Sequence, residues 1–206
     1  MLCADAFVSG TGAMKHAGDL MALLRADPER LRIIALVHSL HLPDCWIAAG
    51  FVRNALWDSL HGRAPSSPSG DIDVIWFDPS QQNADADLRI ESRLNALDAS
   101  IEWSVKNQGR MHVRNGDTPY QSAFDAMRFW PETATAVAVR CTDNGDLEIA
   151  APFGLEDLYA AIVRPTPRFA AEKRAQFDDR LQRKKWLSRW PALRIETDVH
   201  SRASVA

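Results

Sequence analysis

Asp71-Ile72-Asp73, followed by Val74-Ile75-Trp76-Phe77, restricts this chain more than any other stretch. The apolar run predicts a buried strand over Ile72–Phe77. Side chains two apart on a strand share a face, so Asp71 and Asp73 project together from its mouth. Adjacent carboxylates repel one another unless a cation joins them. Donors that are all oxygen favour a hard divalent ion such as Mg²⁺. Upstream, Trp46–Ala49 reads as a short strand that ends at Gly50. Val52, Leu56, Trp57 and Leu60 then fall at helical spacing. Gly62 closes that helix, and the Pro-Ser-Gly loop Ala64–Gly70 leads to the acids. Gly50 permits close approach to the backbone, and the unpaired N–H groups of the next helix start favour an anion. One end of this unit suits phosphate and the other suits a metal that grips phosphate. Together they suit a nucleoside triphosphate.

The remaining pattern alternates helices with short strands. Gly18–Ala26 predicts an amphipathic helix, and Asp27-Pro28 starts a second that runs to Pro43. Gln82–Leu97 reads as a helix and Ile101–Val105 as the third strand. Asn115-Gly116-Asp117 is a turn, and Ser122–Phe129 is a short helix. Thr135–Cys141 and Leu147–Ala150 form a hairpin around Asn144-Gly145. Gly154–Val163 reads as a helix, and Arg168–Trp190 as a long basic helical stretch. This is an α/β (α+β) pattern with a small mixed sheet flanked by helices. It divides into an N-terminal extension open to disorder (1–17), one domain (18–169) and a basic helical C-terminal tail (170–206).

A net charge of −3 gives no global basic field for nucleic acid. Three widely spaced cysteines show neither zinc spacing nor a disulfide framework, so a reducing cytoplasm is the expected setting. The sequence carries neither a membrane-spanning run nor a secretory signal pattern, and no membrane partner is expected.

Gly50-Phe51-Val52-Arg53-Asn54, His61-Gly62-Arg63 and Asp71-Ile72-Asp73 resemble the head of the CCA-adding and bacterial poly(A) polymerases, in the nucleotidyltransferase superfamily. Phe124-Asp125-Ala126-Met127 and the run from Ala151-Pro152-Phe153-Gly154 to Val163-Arg164-Pro165 are similar to later segments of those enzymes. The chain as a whole looks like a family of small bacterial nucleotidyltransferases, with the likeness spanning Pro43–Phe169. The resemblance implies a nucleotidyltransferase (polymerase β-like) fold, Mg²⁺ as cofactor and a nucleoside triphosphate as donor. The acceptor stays open between RNA, protein and a small molecule, since the long helical body that holds tRNA is missing.

The resemblance also implies roles. Asp71 and Asp73 hold the metal, backbone atoms of Gly50 and Phe51 cradle phosphate, and Arg53 and Arg63 offset its charge. The superfamily usually carries Gly-Gly or Gly-Ser where this chain has Gly50-Phe51, which leaves only backbone donors there. A third acid is expected on a neighbouring strand. Glu102 is favoured, with Glu148 in a similar apolar setting. After the third strand, Arg110 offers a phosphate contact, and Asn107 or Gln108 a base or ribose contact. A hydrogen-bonded loop scaffold explains the same residues equally well. The tail's Arg183-Lys184-Lys185 and Arg189 read as RNA phosphate contacts or as a solvated helix face. A catalytically inactive nucleotide-binding module of the same fold is the rival reading, motivated by the departure at Gly50-Phe51 and the uncertain third acid.

Overall fold

A computed structural model describes residues 11–64, 67, 68 and 70–197. Helices α1 (Thr11–Arg25) and α2 (Pro28–His38) come first, and the Asp27 side chain caps α2 by accepting from Arg30 N. The organising unit follows as β1 (Trp46–Ala48), α3 (Gly50–Leu60) and β2 (Ile72–Trp76). Next come α4 (Asp85–Leu97), β3 (Trp103–Asn107), α5 (Gln108–Asn115) and α6 (Ala123–Met127). The hairpin β4 (Ala138–Cys141) and β5 (Leu147–Ala150) precedes α7 (Glu156–Tyr159) and β6 (Ile162–Val163). The described chain ends with α8 (Pro167–Ala170), α9 (Arg174–Lys184), α10 (Trp186–Arg189) and β7 (Arg194–Ile195).

Five strands form one mixed sheet in the order β3-β2-β1-β4-β5, and β6 and β7 form a separate parallel pair. Only β2 and β3 run parallel within the five. A parallel pair needs a crossover, and α4 supplies it, burying Ala86, Ile90 and Leu94 at one-turn spacing. Alternation sends Ile47, Val74, Val105, Val139 and Ile149 into the larger core with α1 to α4. Trp46, Ala48, Ile75, Ala138 and Ala150 take the other face, where Ala123 and Met127 of α6 cover them. Asp73 shares that second face with Ile75, away from the larger core.

Four elements differ from the sequence reading. First, α1 begins at Thr11 rather than Gly18, so residues 11–17 are helical, while the rest of the expected extension (1–10) lies outside the described residues. Ala17 is buried, and the His16 ring stacks on Tyr159 at 4.1 Å. Second, the stretch after β3 is a helix, α5. Asn107 caps it by accepting from Gly109 N, and Gly116 ends it with φ +67°. Third, the helix expected over Gly154–Val163 stops at Tyr159, because Ala161 takes φ +54° and the chain turns into β6. Fourth, the single long helix expected over Arg168–Trp190 is broken into α8, α9 and α10, at Ala171 and at Lys185, and this C-terminal stretch packs onto the domain. Phe177, Trp186, Trp190 and Leu193 sit in the larger core, and Trp57 meets Trp186 and Trp190 edge-on at 5.9 and 5.2 Å.

Candidate functional site

A cleft of about 210 Å³ opens where β1 ends and β2 begins. Ala49, Gly50, Arg53, Asp71 and Asp73 line one side of it. Arg180, Lys184, Trp186 and Arg189, from the C-terminal helices, line the other. The antiparallel register sets Ala48 opposite Asp73, which fixes the acids beside the turn into α3.

Ile72 is buried, so its neighbours Asp71 and Asp73 emerge on the opposite face. Asp71 is exposed and Asp73 half-buried. Burial is the larger cause that pushes the Asp73 carboxyl above the ordinary carboxylate range, and the charge of Asp71 adds to it. A hydrogen bond with Ser104 and the charges of Lys184 and Arg180 oppose that shift.

The turn's special conformation belongs to Ala49. Its φ of +53° and ψ of −110° lie in a region that glycine favours. Gly50 is an ordinary helical residue. A Cβ there would meet Asn54 Nδ2 at 3.5 Å and Arg53 Nη2 at 3.6 Å, so it would narrow the cleft without a clash. Among the described residues no side chain caps the start of α3, which leaves its first N–H groups for water or a ligand. Phe51 turns its ring into the larger core, where Arg30 sits 5.7 Å from the centroid. Its carbonyl accepts from Arg30 Nε at 3.4 Å, so only its backbone N–H remains for a ligand.

Arg53 reaches the cleft wall but is only 6% exposed. Its Nε and Nη2 donate to Asn54 Oδ1 at 3.1 and 2.8 Å, and Nη1 donates to Thr135 Oγ1 at 3.3 Å. The guanidinium lies 5.0 Å from the Trp57 ring and 4.8 Å from the Trp186 ring. Burial pulls its pKa down to about 10, which leaves it charged at neutral pH. Arg53, expected to offset phosphate charge, thus reaches the cleft with its fork largely engaged by protein groups. Arg63 does not line the cleft. It donates to Asp58 at 3.1 Å and to the Arg189 carbonyl, tying the end of α3 to the C-terminal helices.

Glu102 immediately precedes β3, and its carbonyl accepts from Ile72 N at 2.8 Å. Extending the parallel register, in which Ile72 faces Trp103, places Glu102 beside Asp71. Ser104 stands opposite Asp73. Glu148 lies on β5, three strands from β2 and so about 14 Å away across the sheet, where Arg140 Nε holds it at 2.6 Å. Among the described residues, no three His, Cys, Asp or Glu side chains group closely enough to hold a metal.

Asn107 and Arg110 belong to the other end of the β2–β3 pair, about 10 Å along the strands. The Asn107 side chain is fully buried, accepts from Asp78 N and Gly109 N, and donates to the carbonyls of Asp78 and Gln81. Arg110 donates from Nε and Nη2 to Asp87. Gln108 Nε2 donates to the Lys106 carbonyl at 3.2 Å. The structure does not bring these residues to the cleft; they form the loop scaffold.

The sequence reading missed the role of the C-terminal helices as the second wall. Arg180 donates to Glu132 at 2.7 Å, and Glu132 is fully buried. Arg189 and Trp190 both donate to Asp58 on α3, at 3.3 and 2.8 Å. The available signal was Phe177, Trp186 and Trp190, too much aromatic surface for a solvated tail.

A small mixed sheet that presents paired acids beside an uncapped helix start defines a nucleotidyltransferase-type head. The chain belongs to the nucleotidyltransferase family, whose sequence pattern matches residues 35–195. A structure solved by NMR and described as revealing a CCA-adding enzyme head domain is 35% identical. The match covers 87% of this chain and 95% of that one, with a TM-score of 0.78. A CCA-adding enzyme in complex with CTP matches at 16% identity and a TM-score of 0.56, over 87% of this chain and 43% of its own. Another with ATP matches at 17% and 0.51, over 86% and 42%. At that identity these two show the shared fold, and the chain spans less than half their length. No curated protein sequence matches the chain. No helix among the described residues is long and apolar enough to cross a membrane.

Proposed function

We propose that this protein is a Mg²⁺-dependent nucleotidyltransferase that moves a nucleoside monophosphate from a triphosphate to an acceptor. The observation that carries the reading is the cleft itself, which Asp71, Asp73 and the start of α3 line together. A nucleophile on the acceptor, such as a hydroxyl, attacks the α-phosphorus, and pyrophosphate leaves. The backbone of Ala49, Gly50 and Phe51 approaches the phosphates. Arg53 supplies fixed positive charge at the wall, and Glu102, next to Asp71 in the strand register though not among the residues lining the cleft, is the acid assigned to assist the acceptor's proton.

The donor set suits the metal. Both groups are carboxylates, and a shared divalent ion relieves the repulsion that helps raise Asp73. Mg²⁺ ordinarily takes one or two protein carboxylates and fills its shell with water and phosphate oxygens. Bound there, it would supply charge stabilisation at the phosphates. The acceptor is RNA, a protein or a small molecule. A reducing cytoplasm is consistent with Cys45 and Cys141, both free thiols.

Ser104, rather than an acid, opposite Asp73 favours a second reading, a nucleotide-binding module without turnover. Pyrophosphate release measured with Mg²⁺ and each nucleoside triphosphate separates the two. Turnover in the wild type that disappears in Asp73→Ala supports the enzyme. Nucleotide binding without turnover in both supports the module, and no nucleotide binding at all rejects both.

A further inference from the structure

Among the described residues, the cations around the cleft divide into those the protein already engages and one that it does not. Arg53 is engaged by Asn54, Thr135 and two indole rings. Arg180 is engaged by Glu132 and lies 5.5 Å from the Trp186 ring. Arg189 is engaged by Asp58 and lies 4.5 Å from the Trp190 ring. Lys184, the last residue of α9, is exposed and lines the cleft. Among the described residues it has no hydrogen bond or ion pair, yet its charge reaches Asp73.

The backbone is shaped to put it there. Lys185 takes φ +48° and ψ +34°, a left-handed conformation that a non-glycine residue adopts only at a cost in strain. That single residue separates α9 from α10 and lets Lys184 and Trp186 line the same cleft. Trp186 is only 6% exposed with arginines against it, so its ring is committed to packing and not to stacking on a base. A triphosphate brings more negative charge than one divalent ion offsets, and two carboxylates already occupy the site. The remaining charge calls for a mobile cation, and an ammonium on a flexible stem meets phosphate oxygens as a point charge.

We propose that Lys184 is the triphosphate-binding lysine of this cleft, reaching from the C-terminal wall to the phosphates opposite Asp71 and Asp73. The proposal rests on the nucleotide reading above and names the residue that makes the site prefer triphosphate over monophosphate. Arg53 and Arg180 hold the wall; Lys184 meets the ligand.

The test is equilibrium binding of ATP, CTP and their monophosphates, with Mg²⁺, to the wild type, Lys184→Ala and Lys184→Arg. Removing the contact is expected to weaken triphosphate binding roughly ten- to a hundredfold, and monophosphate binding less than about threefold. Lys184→Arg should recover most of the loss. Wild-type binding of triphosphate that is unchanged in Lys184→Ala overturns the proposal and leaves the nucleotide reading intact. Equal losses for triphosphate and monophosphate also overturn it, since they mark a structural role. A wild type that binds neither nucleotide rejects the nucleotide reading itself. Lys185→Gly, which relieves the backbone without touching the charge, should keep triphosphate affinity within about threefold; a larger drop there would assign the effect to the turn and count against Lys184.

Discussion

Two carboxylates serve the same pair of strands and live in opposite circumstances. Asp87, packed against the far end of β2 and β3, is 3% exposed and fully provided for. It accepts from Trp76 Nε1 at 2.8 Å, from Asn107 N at 2.9 Å and from two nitrogens of Arg110. Asp73, at the near end, has Ser104 as its hydrogen-bonding neighbour and Asp71 as a like charge beside it. A carboxylate surrounded by donors is a structural joint. A half-buried one held against another acid is an arrangement that folding alone does not favour, and it marks a place where a cation or ligand belongs. The polar density after β3 is therefore no guide to function, while the sparse pair at the mouth of β2 is.

A double dissociation tests this contrast most severely. Asp73→Ala should abolish pyrophosphate release, by at least about a thousandfold if the metal contributes several kcal/mol, while leaving the denaturation midpoint unchanged or raised. Asp87→Ala should do the reverse. It strands the Arg110 guanidinium in a mostly buried setting, which costs about 3–5 kcal/mol, while residual folded protein keeps its nucleotide affinity. Urea unfolding and turnover measured on the same preparations decide the matter. If Asp87→Ala loses activity without losing stability, the far cluster is part of the site and the contrast fails.

A smaller effect sharpens the same comparison. A divalent ion that binds only the folded protein stabilises it by RT ln(1 + [L]/Kd), about 1.4 kcal/mol at ten times Kd. Millimolar Mg²⁺ or Mn²⁺ should raise the wild-type melting temperature and leave Asp73→Asn where it was. An equal rise in both proteins would place the ion elsewhere.

The legible parts of this molecule are those where local chemistry decides the backbone. Asp27-Pro28 states a helix start, Asn144-Gly145 sits in the β4–β5 connection, and Ile72–Trp76 is an apolar run broken only by Asp73. The illegible parts are set by contacts distant in sequence. The local marks of α5, Asn107 at its cap and Gly116 at its end, bracket only eight residues, and distant contacts complete it. Arg110 within it is fixed by Asp87 from α4, and Gly109 is needed because a Cβ would sit 2.9 Å from the Asp78 carbonyl. Nothing local says that the strained turn residue is Ala49 rather than Gly50, since alanine is a poor advertisement for a left-handed φ. The engagement of Arg53 was hidden because its partners, Thr135 and Trp186, come from 82 and 133 residues further along. The second wall of the cleft was hidden for the same reason. Its basic residues face the site only because Trp186 and Trp190 are buried against Trp57.

The smallest expected effect follows from Asp73's raised carboxyl, and its sign is fixed by linkage. Burial and Asp71 make the folded state bind this proton more tightly than the unfolded chain does. Between the unfolded carboxylate value, about 3.9, and the higher folded value, the native protein holds more protons, so stability falls as pH rises through that window. Above the window the ionised Asp73 is a constant burden on the fold. Asp73→Asn carries no such burden. In buffer free of divalent ions, it should therefore be more stable than the wild type at neutral pH. That advantage should shrink as pH falls through the folded value of Asp73 and settle near pH 4. Adding Mg²⁺ at neutral pH should shrink it too, because the ion stabilises only the wild type. Unfolding free energies of both proteins across this pH range, with and without the ion, provide the check. A gap between them that stays constant with pH would mean that Asp73 is not held against its will, and the distinction between the two ends of β2 would lose its physical basis.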